Sequence, residues 1–177
     1  MVKPYQPPKG FFATDAFTDW SLEWLDEKER ADDPFFLYLA YNAPHWPLHA
    51  HPEDITKYEG AYESGYEAVR KARYERQLAS GLFDEEVTPL SEEEHKVWSE
   101  LSPRERKEEA LRMQIHAAMV YRMDQNIGRL VAKLRETGKL ENTLILFLVD
   151  NGSSHERPGR GEKNPQAPWG SVGSFEA

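Results

Sequence analysis

An acidic residue and an amide directly follow the most apolar run of the chain. The run covers residues 143–149, and Asp150, Asn151 and Gly152 come immediately after it. Carboxylate and amide oxygens are ligands that Ca²⁺ and Mg²⁺ prefer, whereas zinc favours nitrogen and sulfur. Asp150 and Asn151 are therefore candidate ligands of a hard divalent cation. Asp-Asn-Gly is also typical of a hairpin turn, but residues 153–168 contain no second apolar run that would complete a hairpin.

A histidine between two prolines is the second candidate for chemistry. His45 lies between Pro44 and Pro47, after an apolar run over residues 34–41. Proline restricts its own backbone and that of the residue before it, so we expect a fixed, non-helical course around His45. A histidine held in this way can donate a proton to a leaving group or stabilise a developing oxyanion. The alternative is a loop histidine that packs on Trp46.

A zinc site is a further alternative, because His49 and His51 follow His45 in the same loop. No carboxylate at ligand spacing completes a zinc set, which makes this interpretation the weaker one. The chain contains no cysteine. Disulfides, thiolate metal sites and a cysteine nucleophile are therefore excluded within these residues.

The two apolar runs predict the elements that position these side chains. Each run reads as a strand buried on both faces, which is typical of a parallel sheet covered by helices. In such sheets, ligands bind beyond the carboxyl ends of the strands, where His45 and Asp150 lie. The predicted fold class is α/β, with a mixed, largely parallel sheet flanked by helices.

Helical patterns precede both predicted strands. Thr14 or Asp15 is expected to cap a helix that runs to about Arg30. Its predicted apolar face consists of Phe17, Trp20, Trp24 and Leu25. The strongest helix is predicted over residues 109–137, with Gly138 ending it. Its predicted apolar face consists of Leu111, Ile115, Met119, Met123, Ile127, Leu130 and Leu134.

A polar helical excursion over about residues 53–109 separates the predicted strands. Residues 53–80 are helical in composition, and Ser91 and Ser102 each begin a pattern typical of a capped helix. Pro103 would then occupy the first helical position of the second of these. We assign no chemistry to this region.

The composition limits the classes of partner. The 177 residues suit one domain, and the net charge of -9 argues against a nucleic-acid partner, which requires a basic surface. No apolar run approaches the length of a membrane span, and no signal peptide follows Met1. The compartment stays open between cytoplasm and periplasm.

Three pieces of the sequence, residues 34–48, 119–130 and 141–152, form a recognisable set when they are taken together. They resemble the sulfatase family, and bacterial arylsulfatases in particular, within the alkaline-phosphatase-like superfamily, and the similarity extends from about Phe11 to Trp169. The resemblance implies an alkaline-phosphatase-like fold and a sulfate ester as substrate. It implies a bound Ca²⁺ or Mg²⁺ with Asp150 and Asn151 among its ligands. It places His45 near the sulfate, where it binds the sulfate or protonates the leaving alcohol.

The chain departs from the family pattern at the nucleophile. Sulfatases use a formylglycine made from Cys or Ser in a Cys/Ser-x-Pro-x-Arg segment, and Ser102-Pro103-Arg104 has the wrong spacing. The paired aspartates of the family follow a strand, whereas Asp32 and Asp33 precede one. We therefore expect residues 1–177 to be an incomplete, internal piece of a sulfatase catalytic domain, with little or no turnover alone.

Two other interpretations stay open. One is a phosphonate or phosphate monoester hydrolase of the same superfamily, which would share the cation site. The other is a non-catalytic truncated product. Because two buried strands cannot satisfy their backbone groups alone, we expect exposed apolar surface and self-association in such a product.

Overall fold

Helices form the framework of the protein. A computed structural model describes residues 6–27, 33–92 and 97–152. The α-helices are α1 (Ala13–Asp26), α2 (Pro52–Ile55), α3 (Tyr66–Ala79) and α4 (Pro103–Glu136). Short 3₁₀ turns cover Thr56–Tyr58, Trp98–Glu100 and Leu140–Asn142. No helix in the described part of the chain is both long and apolar enough to cross a membrane.

Helix α4 joins two predicted pieces, because it starts at the predicted cap Ser102 and continues without a break through residues 109–136, so the start predicted at Glu109 was wrong. Ser102 Oγ accepts from the backbone N–H of Glu105 (3.3 Å), and Glu105 Oε2 accepts from the Ser102 N–H (2.7 Å). This reciprocal capping box, with Pro103 in the first position, confirms the predicted cap. Gly138 has φ +71°, and the N–H groups of Gly138 and Lys139 bond back into the last turn. This pattern is a Schellman motif, which confirms the predicted end.

The core lies between α4 and the loop that follows the first apolar run. Its α4 members, Ile115, Ala118 and Met119, agree in part with the predicted face of the helix. Its loop members are Ala43, Leu48 and Ala50. Four partly buried side chains surround this cluster: Trp46, Ile55, Tyr58 and Leu111. The loop around His45 therefore packs against the middle of α4.

Helix α1 buries a different face from the predicted aromatic one. The buried residues are Thr14, Thr18 and Ser21, which recur at intervals of four and three. Thr18 Oγ1 donates to the Thr14 carbonyl (3.1 Å), so its hydroxyl is satisfied within the helix. The predicted aromatic stripe was wrong as the buried face, and Trp20 is exposed. Hydroxyl side chains can line this face because the helix backbone accepts their protons.

The start of α1 also differs from the prediction. The helix begins at Ala13, and neither Thr14 nor Asp15 caps it. Asp15 instead binds groups on α4. The predicted extension to Arg30 enters residues 28–32, which lie outside the described residues.

The polar excursion is less helical than predicted. Two glycines with positive φ, Gly60 and Gly65, interrupt the chain between α2 and α3. A Cβ at Gly65 would lie 2.6 Å from the Trp98 ring, so only glycine fits this contact. Ser91 accepts a hydrogen bond from Arg70 through both its carbonyl and its hydroxyl. The helix predicted from Ser91 runs into residues 93–96, outside the described residues.

The two predicted strands are extended but form no strand in the part of the chain that the structure describes. Residues 34–41 alternate between half-buried and exposed side chains, with Phe36 and Tyr38 more than 80% exposed. Residues 144–149 are exposed throughout. The prediction that both runs are buried is therefore wrong for this structure. Burial requires neighbouring strands on the same sheet, and the described residues pair none with these two runs.

Candidate functional site

The His45 ring is fixed by backbone groups of its own loop. The His45 N–H donates to the Asn42 carbonyl (2.9 Å). Nδ1 of the ring lies 2.6 Å from the Trp46 carbonyl oxygen. Since a carbonyl only accepts, Nδ1 carries the proton and donates it. In the neutral ring, Nε2 then carries the lone pair that can accept a proton. The His45 side chain is exposed to solvent. The arrangement selects one tautomer and orients the ring, as a proton-transfer residue requires.

The prolines beside His45 both follow cis peptide bonds, Ala43–Pro44 and Trp46–Pro47. The loop then turns back onto α4, where Leu48 and Ala50 enter the core. The His49 N–H donates to the Met119 sulfur (3.4 Å). The predicted non-helical course of this loop is confirmed, and it rests on packing against α4 as well as on the prolines.

Helix α1 contacts both ends of this loop. Thr18 Oγ1 lies 2.6 Å from the Tyr41 hydroxyl, just before the loop begins. His51 Nε2 lies 3.2 Å from Asp15 Oδ2, just after it ends. Burial raises the pKa of the Tyr41 phenol above its ordinary value of 10. The phenol therefore stays protonated and can donate at neutral pH.

Asp15 is the centre of a charged network that sequence reasoning missed. Arg122 of α4 donates to both carboxylate oxygens, from Nε and from Nη2, each at 2.7 Å. Asn126, which is almost fully buried, donates to Oδ1 at 2.7 Å. A bidentate guanidinium pair of this kind is among the stronger charge-assisted contacts. No local pattern predicts it, because 107 positions separate Asp15 from Arg122.

The pKa of Asp15 reflects these donors. Burial alone would raise it. The hydrogen bonds from Arg122 and Asn126, the charge of Arg122 and the contact with His51 together outweigh burial. They lower the pKa from 3.8 to about 2. Asp15 is therefore ionised at all physiological pH values and is a permanent anion between α1 and α4.

A second buried carboxylate lies beside this network. Asp54 of α2 is 2% exposed, and its Oδ1 accepts from Lys57 (3.1 Å). Among the described residues, Asp54 Oδ2 accepts no hydrogen bond, but Arg122 Nη1 lies 3.7 Å from it. Arg122 therefore links α1, α2 and α4 through two carboxylates.

The histidines of the loop do not converge on a zinc site. His45 binds the Trp46 carbonyl and His51 binds Asp15. Burial lowers the pKa of His49. Within residues 6–27, 33–92 and 97–152, no group of three or more His, Asp or Glu side chains could hold a metal ion.

Asp150 and Asn151 follow the second extended run and are exposed. The Asn151 N–H donates to Asp150 Oδ1 (3.0 Å), and Asn151 Nδ2 donates to the Gly152 carbonyl (2.7 Å). With its nitrogen engaged there, Asn151 keeps its side-chain oxygen as an acceptor. A carboxylate and an amide oxygen on consecutive residues are the ligand types that a hard cation prefers, and two such oxygens are fewer than the about six to eight that Ca²⁺ takes.

The two halves of the predicted site are not in direct contact. No hydrogen bond or ion pair joins His45 to Asp150 or Asn151 in the described part of the chain. One side-chain contact nevertheless links the segments where the two extended runs begin. Lys139, just before the second run, has its ammonium 5.8 Å from the ring centroid of Phe35, near the start of the first.

Comparison with known proteins decides the family. A family model described as Sulfatase matches residues 2–173, which is nearly the whole chain. The chain belongs to the sulfatase family. The resemblance predicted from residues 34–48, 119–130 and 141–152 is thereby confirmed. Membership of the family implies an α/β fold, whereas the described residues of this sulfatase chain form helices and no sheet.

Curated relatives agree with the family. An uncharacterised sulfatase of Schizosaccharomyces pombe is 38% identical over 147 residues, covering 82% of this chain and 26% of the relative. The arylsulfatase of Klebsiella aerogenes is 38% identical over 148 residues, covering 83% of this chain and 32% of the relative. The N-acetylglucosamine-6-sulfatase of Homo sapiens is 26% identical over 151 residues, covering 80% and 23%. The sulfatase chain thus spans about a quarter to a third of the length of these relatives.

Ser102 of this sulfatase chain has a structural role. Its hydroxyl accepts from the Glu105 N–H as the cap of α4, and Pro103 and Arg104 are the first two residues of the helix. The local geometry therefore agrees with the sequence, in which the spacing Ser102-Pro103-Arg104 does not match a formylglycine segment.

Proposed function

We propose that the protein containing this chain hydrolyses sulfate monoesters, with His45 as the proton donor to the leaving alcohol. The observation that supports this role most strongly is the bond from Nδ1 to the Trp46 carbonyl. In the protonated ring, Nε2 also carries a proton. As the sulfur forms a bond to the nucleophile, which would come from outside these residues, the S–O bond to the alcohol breaks and that proton moves from Nε2 to the departing oxygen. The ring that remains is the Nδ1–H tautomer, which the Trp46 carbonyl stabilises.

We further propose that Asp150 and Asn151 contribute oxygen ligands to a Ca²⁺ or Mg²⁺ ion. When bound, such a cation supplies positive charge against the sulfate oxygens. The adjacent carboxylate and amide oxygens support this assignment, as does the contact between Lys139 and Phe35 near the starts of the two extended runs. A parallel course from there would bring the end of each run to the same edge of a sheet. Residues 1–177 would then form part of one catalytic domain.

The nucleophile would come from elsewhere in the protein. The 177 residues contain no cysteine, and Ser102 caps a helix. A formylglycine is therefore expected outside these residues, and we expect little or no turnover from the chain alone.

The substrate class is tested by comparing esters that share one leaving group. We expect the intact protein to hydrolyse p-nitrophenyl sulfate with a higher kcat/KM than p-nitrophenyl phosphate or a p-nitrophenyl phosphonate monoester. Equal or higher kcat/KM for the phosphorus esters would instead favour the phosphonate or phosphate monoester hydrolase. No turnover of any of the three esters would contradict both the sulfatase and the phosphorus-ester hydrolase as functions of the protein.

Metal removal tests the cation. Dialysis of the intact protein against a chelator is expected to abolish turnover of p-nitrophenyl sulfate, and Ca²⁺ or Mg²⁺ is expected to restore it. Asp150→Ala should raise the concentration of cation needed for half-maximal recovery, because it removes a charged ligand. Asp124→Ala, an exposed acidic position on α4, is the matched control and should leave that concentration unchanged. Full activity after complete removal of divalent cations would refute the assignment.

A further inference from the structure

One turn of α1 holds both ends of the His45 loop. Asp15 and Thr18 are three residues apart, so they lie on the same face of the helix. Thr18 contacts Tyr41 at 2.6 Å, and Asp15 contacts His51 at 3.2 Å. Tyr41 and His51 are the residues that flank residues 42–50, the loop that carries His45. Two adjacent contacts on one helix therefore set where the loop starts and where it ends.

The direction of the first contact follows from the hydroxyl protons. Thr18 Oγ1 donates its only proton to the Thr14 carbonyl (3.1 Å). The Tyr41 hydroxyl must therefore donate to Thr18 Oγ1. Thr18 is fully buried, so the acceptor end of this bond is shielded from competing water. Because the Thr18 proton is already donated to Thr14, the Thr18 oxygen accepts from the Tyr41 hydroxyl and thereby fixes the position of the Tyr41 ring.

The second contact is fixed by α4. Arg122 and Asn126 hold the Asp15 carboxylate through three hydrogen bonds, each at 2.7 Å. The carboxylate therefore keeps its place independently of His51. The loop itself packs on the same helix through its own apolar residues. Helix α4 thus provides the surface on which the loop packs, and helix α1 provides the contacts at both of its ends.

We propose that Thr18 and Tyr41, together with Asp15 and His51, are positioning residues that set the place of His45 relative to the leaving alcohol. This inference rests on the proposed function, because it assigns these residues to the proton transfer by His45. Loss of the Tyr41–Thr18 bond releases one end of the loop and moves the proton donor away from the departing oxygen. Misplacement of a reacting group by about 1 Å can cost about 100-fold in rate.

The test uses Thr18→Val and Tyr41→Phe in the intact protein, because each variant removes one hydroxyl and little volume. The readout is kcat over a series of aryl and alkyl sulfates whose leaving alcohols differ in pKa. A poor leaving group needs the proton most, so we expect about a 10-fold or greater loss for alkyl sulfates and a much smaller loss for p-nitrophenyl sulfate. Thr18→Ser should restore the wild-type dependence. The double variant should lose no more than either single variant, since all three lack the same bond.

Asp19→Asn is the matched control. It weakens an exposed ion pair between α1 and α4, with Arg129, and does not touch the loop. We expect wild-type kcat for every ester. A loss in Thr18→Val and Tyr41→Phe that is equal for all leaving groups would overturn the inference, because it would indicate only a smaller folded fraction. Unchanged kcat in both variants would also overturn it.

A readout without turnover separates this inference from the proposed function. If the wild-type protein hydrolyses no sulfate ester, the proposed function is wrong, and the His45 ring resonances in NMR then test the positioning alone. We expect the Nδ1 signal of His45 to shift or broaden in Thr18→Val and to stay unchanged in Asp19→Asn. An unchanged signal in Thr18→Val would show that α1 does not position His45.

Discussion

Replacement of His45 by alanine in the intact protein is expected to lower kcat on sulfate esters by about 10²- to 10⁴-fold, the usual contribution of a general acid. The hydrogen bond from Nδ1 to the Trp46 carbonyl orients the ring and leaves Nε2 as the nitrogen that exchanges the proton. Alanine removes the donor without altering the packing of Leu48 or Ala50 on α4. The loss should therefore appear in kcat and leave the fold intact, which far-ultraviolet circular dichroism can check.

The dependence on leaving group makes this prediction specific. The deficit of His45→Ala should be smallest for p-nitrophenyl sulfate and largest for alkyl sulfates, whose alkoxides need protonation. His116→Ala, on α4 and outside the loop, is the matched histidine control and should keep kcat close to wild type. A loss of less than about threefold for all esters would be too small for a general acid and would refute the role of His45.

The second large effect concerns stability. Asp15→Ala in the intact protein is expected to reduce the free energy of unfolding by about 3 kcal/mol, because it removes the carboxylate that accepts three hydrogen bonds from the Arg122 guanidinium and the buried Asn126 amide. Arg122 and Asn126 each lose hydrogen bonds at 2.7 Å, and Arg122 then faces Asp54 alone. Urea denaturation with an unchanged m-value would measure the difference.

Asp19→Ala supplies the comparison, because Asp19 also pairs with an arginine of α4 but is half exposed. Its loss should reduce the free energy of unfolding by about 0 to 1 kcal/mol, as is usual for a surface ion pair. Equal destabilisation by the two substitutions would show that the Asp15 network contributes no more than a surface pair.

The acid dependence of stability follows from the same carboxylate. The pKa of Asp15 is about 2 in the folded protein and 3.8 in the absence of these contacts. A lowered folded pKa gives a contribution that is present above about pH 4 and is lost as the pH falls towards 2. Asp15→Asn should therefore flatten the decline in unfolding free energy between pH 4 and pH 2.

Local rules account for what the sequence predicted well. Ser102 with Glu105, and Gly138 after α4, act within a few residues, so their patterns determine the helix ends without help from the rest of the protein. The course around His45 is similar, because Pro44 and Pro47 restrict the backbone directly. The two prolines flank the candidate proton donor, so the local sequence was enough to single out His45.

Long-range contacts account for what the sequence did not predict. Asp15 was expected to cap α1, since an acidic residue near a helix start is typical of a cap. Its partner Arg122 is 107 positions away, and no periodicity links the two. The apolar runs at residues 34–41 and 143–149 raise a related difficulty. Their composition predicts burial, but burial depends on neighbouring strands that a local pattern does not contain.

The separation between Asp15 and Arg122 also sets an order of events during synthesis. Helix α1 leaves the ribosome long before its partner, because translation at about 5–20 residues per second needs roughly 5–20 s to extend the chain by the 107 residues from Asp15 to Arg122. Throughout that interval Asp15 lacks the Arg122 guanidinium, and the apolar residues Leu48 and Ala50 of the loop lack the α4 side chains on which they pack. A nascent chain stalled before residue 122 should therefore bind holdase chaperones, and one stalled well beyond α4 should be released from them.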